Sequence, residues 1–159
     1  MLTRFLSFIL VAYAAIAFGN IFGYFAHTEY DLSGRAFAEW HRITDSYYGK
    51  IMPIVGLSGM LFQCLFLIGE RNYFSQKPFI LVAIALIIQI GITIIAINSN
   101  VAMNAEMNAW NPDNLPTNWN EMRNEWLGYH DRNRPFNLIH SICLFSGCYF
   151  YWMRVRLGN

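Results

Sequence analysis

Long apolar runs alternate along this chain with polar stretches of very unequal length. Four runs carry no charged residue: 5–25, 51–68, 79–97 and 136–153. Each is close to the ~20 residues that take a helix across a bilayer. The connection between the second and third runs is short, and GERNYFSQKP reads as a plain turn. The connections 26–50 and 98–135 are long. Alternating spans place both termini on one side and both long connections on the other. The pattern predicts an all-α fold: one domain over 1–159, an integral-membrane four-helix bundle with two long, partly helical loops on one face. The first run contains AYAAIAFGN, whose small residues resemble a cleavage site. It is longer than the apolar core of a signal peptide, so a retained helix is expected.

The long connections have periodicity of their own, and chain of that length usually carries structure or function. In the first, Ser33 suits a helix N-cap, with Phe37, Trp40, Tyr47 and Tyr48 as its apolar face. Pro53 then sits in the first turns of the second span, where proline is tolerated. The second connection extends the third span. Asn100, Asn104 and Asn108 recur every four residues and form one polar stripe. NPDNLP breaks that helix at Pro112 and Pro116. A new helix is expected from Thr117 as N-cap, with Glu121 closing a capping box. Gly128 and DRNRP weaken it, and Pro135 suits the first position of the fourth span.

Composition sharpens the membrane reading. The chain is 55% hydrophobic and only 13% charged, against roughly 25% charge in soluble proteins. A net charge of +1 without a Lys/Arg cluster excludes a nucleic-acid partner. Arg4, Arg71, Lys77, Arg154 and Arg156 lie in short segments at span ends on the terminus side. That is where the positive-inside rule acts, so the termini are expected in the cytoplasm. Cys64, Cys143 and Cys148 all fall inside spans and read as small packing residues.

The polar residues within the spans concentrate at the loop end. Asn20, Asn98, Asn137 and His140 are near it, Gln89 is at mid-depth, and Gln63 is nearer the termini. Such residues turn inward, either bonding helices together or lining a site. Beside them stands NWNEMRNEWLGYH, in which Trp119, Arg123, Trp126 and His130 share one helix face. Interface anchoring explains the tryptophans and Arg123, while an imidazole on that face suits acid–base chemistry. No metal or organic cofactor is expected. The alternative is a metal or haem held through His27, His41, His130 and His140, with Glu39, Asp45 or Glu125 as partners.

NVAMN, then Trp110 with Pro112, PTNW, Arg123, Trp126 and His130, resembles a pattern in a family of small four-helix membrane proteins that includes anthrone oxygenase-like proteins. Pro53 also fits, whereas Ala102 stands where that family often has proline. The resemblance implies oxygen chemistry on an anthrone-like substrate without an organic cofactor. The expectation is therefore an integral-membrane, oxygenase-like enzyme for a small apolar, aromatic or phenolic substrate. In it His130 is the base, with Arg123, Asn100 and Asn104 stabilising an oxyanion. Trp119, Trp126, Trp110, His140, Asn137 and His41 line the substrate. Two other readings stay open: a non-catalytic module binding a quinone, lipid or partner protein, and a histidine-ligated metalloprotein. The implied partners are membrane lipid and a small apolar ligand, and a homo-oligomer is open.

Overall fold

Apolar side chains recur along each long run with no proline until its outer turns, so helices form, and they outgrow the spans that nucleate them. The computed structural model describes residues 1–23 and 28–158. His27 and the side chain of Asn20 fall outside the described residues. Those residues form four α-helices and no strand: α1 (Leu2–Gly23), α2 (Gly34–Gly69), α3 (Lys77–Asn108) and α4 (Trp119–Arg156). Single turns of 3-10 helix, Thr28–Asp31 and Arg71–Tyr73, lie between α1 and α2 and between α2 and α3. α1 packs against α2 and α4, and α3 packs against the same two. This is an up-down-up-down ring. The antiparallel register shows in Phe8 beside Trp152, at 4.9 Å between ring centroids, and Tyr13 beside His140, at 5.9 Å.

Helix length divides the molecule in two. At 1.5 Å per residue α1 is about 33 Å long, while α2, α3 and α4 reach roughly 54, 48 and 57 Å. The surplus of those three helices forms a cap above the end of α1. One apolar core, with Leu10, Phe66, Val82 and Leu144, fills the bundle. A second, with Phe37, Ala38, Met107 and Trp110, fills the cap.

The structure corrects several expectations. The cap helix of the first connection and the second span are one helix, so Pro53 lies in its interior. The cap helix of the second connection likewise runs unbroken into the fourth span through Gly128 and Pro135. Both prolines are exposed, so the hydrogen bond each one forfeits faces outward. The carbonyl crowded by Pro53 belongs to Gly49 four residues earlier, which carries no side chain to add to the clash. Burial of α4 along its whole length, from Arg123 to Tyr151, outweighs the local helix-weakening residues. Ser33 is the N-cap of α2 and accepts from the Ala36 N–H at 3.4 Å, as expected. For α4 the N-cap is Asn118, without a side-chain cap, rather than Thr117. Tyr47 and Tyr48 are exposed instead of forming an inner face. The inner face of α2 is Phe37, Ala38 and His41.

Three helices, α1 over Leu2–Gly19, α2 and α3, are long and apolar enough to cross a membrane. The 136–153 stretch of α4 is not among them. It carries Asn137, His140, Ser141 and Ser146, and it is the helix most enclosed by its neighbours.

Candidate functional site

The cap is where the chemistry gathers. α2 presents Phe37, His41 and Asp45, four residues apart and so on one face. α3 contributes Asn104 and Asn108, again four apart. α4 contributes Trp119, Arg123, Trp126 and His130. Gly34 lets these helices close up, because a β-carbon there would sit 3.0 Å from the Trp119 indole.

A hydrogen-bonded array crosses the three helices. The Trp126 indole N–H donates to Asn104 Oδ1 at 2.7 Å. His41 Nε2 lies 3.4 Å from the same oxygen. Asn104 Nδ2 donates to Asp45 Oδ1 at 2.8 Å, and Asn108 Nδ2 to Asp45 Oδ2 at 2.6 Å. Both carboxylate oxygens are thus engaged. His41 is 2% exposed. Its ring lies 5.3 Å from the Trp126 ring and 5.8 Å from the Phe37 ring. His130 packs edge-on against the same indole at 4.3 Å. Two imidazoles from different helices therefore meet one tryptophan. Burial lowers the pKa of His41, which lies outside the 51–68 stretch; Asn104 and the Asp45 charge pull the other way. The net effect keeps the ring neutral at neutral pH.

Arg123, expected to stabilise an oxyanion, is bonded within the protein. Its Nη1 donates to the Leu32 carbonyl at 2.7 Å and its Nη2 to Asn120 Oδ1 at 2.6 Å. The guanidinium also lies 4.9 Å from the Trp119 ring. It clasps the start of α4 to the chain just before α2. Trp110 is buried in the cap core, and its carbonyl accepts from Arg42 Nη2. Beside it a shallow groove of about 410 Å³ runs between Glu106, Asn111 and Leu115.

Three expected site residues sit elsewhere. Asn100 is half-buried one helical turn below Asn104. Asn137 is half-buried and donates back to the Asn133 carbonyl at 3.1 Å. His140 is ten residues beyond His130, or about 15 Å along the helix. It is 2% exposed and belongs to a separate polar layer inside the bundle. In that layer Gln89 Nε2 donates to Tyr13 Oη and to the Gly56 carbonyl, both at 2.7 Å, and Gln63 Nε2 donates to Gln89 Oε1. Among the described residues His41, His130 and His140 form no common ligand set; His27 falls outside them. Among the described residues no three His, Cys, Asp or Glu side chains are grouped to hold a metal.

Sequence reasoning missed Asp45 as the anchor of the array and Asn108 as its second donor. The signal was the His41–Asp45 spacing of four, set against an asparagine stripe of the same period. Comparison of the chain with family models, with curated proteins and with solved structures finds no match in any of the three.

Proposed function

We propose that this protein is an integral-membrane, oxygenase-like enzyme that takes a proton from a small apolar, aromatic or phenolic substrate in the cap. The observation that carries the reading is the meeting of His41 and His130 on the Trp126 indole, beside the Asn104–Asp45 array. Imidazoles supply the base, and the surrounding Phe37, Trp119 and Trp126 rings suit a flat apolar molecule. For an anthrone-type substrate the chemistry balances with dioxygen as co-substrate. The base removes one proton of the CH2 group, and the carbanion adds O2 and regains a proton as a hydroperoxide. Loss of water then leaves a carbonyl, so CH2 + O2 gives C=O + H2O.

In this reading all four helices cross the bilayer, α4 shielded by the others. The exposed apolar side chains of α2 and α3, such as Ile54, Leu57 and Ile87, meet the lipid. Arg4, Arg71, Lys77, Arg154 and Arg156 support termini in the cytoplasm and a cap on the opposite face.

The test is oxygen uptake with anthrone by the protein in mild detergent. Replacing the base should cost about 10²–10⁴-fold in turnover. Full turnover in both His41→Ala and His130→Ala would overturn the reading. A second reading, a non-catalytic quinone or lipid binder, is favoured by the way Asn104, Asp45 and Arg123 already bond within the protein. Stoichiometric ligand binding without oxygen uptake would establish it instead.

A further inference from the structure

We infer that Asn104 locks His41 as its Nε2–H tautomer, leaving Nδ1 as the atom that accepts a proton from a hydroxyl-bearing aromatic ligand. This rests on the catalytic reading above and deepens it, assigning the base to one atom of one residue.

An indole N–H only donates, so the Asn104 atom 2.7 Å from Trp126 Nε1 is its carbonyl oxygen. An ionised carboxylate only accepts, so the Asn104 atom 2.8 Å from Asp45 Oδ1 is its NH2 group. Two independent partners on two helices give the same amide orientation. The Asp45 carboxylate is itself held by Asn108 at 2.6 Å. The amide oxygen has no hydrogen to offer. The hydrogen shared across 3.4 Å with His41 must therefore sit on His41 Nε2. A neutral imidazole with its hydrogen on Nε2 has a bare lone pair on Nδ1.

That Nδ1 is buried and has no hydrogen-bond partner among the described residues. An unsatisfied buried acceptor calls for an explanation, and a ligand donor supplies one. The Phe37 and Trp126 rings pack against this imidazole, and in this inference the donor is the O–H of a flat aromatic molecule admitted between them. In the transfer the ligand O–H bond breaks, its electron pair stays on oxygen, and an N–H bond forms at Nδ1. The resulting imidazolium still donates through Nε2 to Asn104, and the Asp45 charge behind the amide offsets the new positive charge. Asn104 is thus a positioning residue.

The experiment is a two-bond 1H–15N correlation spectrum of the full chain, 15N-labelled at histidine, in detergent at neutral pH. The His41 signals are assigned by their loss in His41→Gln. A single Nε2–H pattern is expected in the unaltered protein, and an Nδ1–H pattern or a mixture would overturn the inference. In Asn104→Leu a mixture of tautomers is expected, and an unchanged pattern would remove Asn104 from its role. Adding 2-naphthol should move the Nδ1 signal, while 2-methoxynaphthalene, which lacks the hydroxyl, should leave it in place. Equal effects from the two, or none from either, would remove the hydroxyl donor from the account. The spectrum needs no turnover, so an Nε2–H tautomer without oxygen uptake would sink only the enzyme reading. Turnover with an Nδ1–H tautomer would sink only this one.

Discussion

Bundle and cap each hold an apolar core crossed by a polar layer; they differ on the outside, which is aliphatic around the bundle and charged around the cap. Gln63 and Gln89 are buried between helices whose outer faces show Leu57, Leu61 and Ile87. Toward the cap, Phe37, Met107 and Leu127 are buried, and the outside shows Arg35, Glu39 and Glu121 on the helices and Asp113 in the turn between α3 and α4. Exposed Arg35 even bridges Glu39 at 3.1 Å and Asp113 at 2.7 Å, as on the surface of a soluble protein. On the proposed membrane reading one set of helices obeys two solvent rules. In lipid, burying hydrocarbon yields no hydrophobic gain, and polar contacts and close packing would hold the bundle. Where the outside is charged, burial of aromatic surface would hold the cap.

The largest effect should come from breaking the ion pair that closes the bundle at the far end. Glu70 and Arg154 are paired there, with side chains 5% and 10% exposed. Glu70→Ala leaves the guanidinium without its counter-ion and should cost about 3–5 kcal/mol, read by thermal unfolding in detergent. Next comes packing within the bundle. A β-carbon at Gly59 would run into the Tyr13 ring, so Gly59→Ala should cost about 1–3 kcal/mol in the same assay.

The same chemical change in the two regions sharpens the contrast. Asn104→Leu strands the Trp126 donor and one oxygen of Asp45 and should cost roughly 1–3 kcal/mol. Gln89→Leu removes hydrogen bonds inside the bundle, where such bonds average only ~0.6 kcal/mol each. Equal losses would erase the proposed difference in rules. The smallest effect concerns pH. The His41 pKa is lowered from 6.5 in the folded cap, so below about 6.5 the unfolded chain binds the extra proton first. Stability should fall as pH drops from 6.5 toward the lowered folded value, then level off. A His41→Gln variant should lose that portion of the pH profile, and an identical profile would remove His41 as its source.

The bundle was more legible than the cap. Charge-free runs located the bundle portions of all four helices, because apolar length is a property of each segment alone. Helix ends were less legible. Pro53, Gly128 and Pro135 read as boundaries, yet each is accommodated within a longer helix whose burial is decided by neighbours remote in sequence. The Trp119–Arg123–Trp126–His130 stripe and the asparagine stripe were visible from spacing. Their partners were not: that Asn104 and Asn108 would share Asp45, or that Arg123 would find a backbone carbonyl, follows only from the register between helices. His140 looked like a neighbour of the cap because sequence gives depth coarsely.

The Arg123–Leu32 clasp also dates the cap. Its partners are 91 residues apart, and a ribosome releases the first long before the second. α1, α2 and α3 can all be in place while the cap still lacks its third wall. The Trp126 bond to Asn104 is equally late. Assembly of the site is therefore tied to arrival of the last helix, and a chain cut short after α3 would hold every residue of the Asn104–Asp45 pair and still have no finished cap.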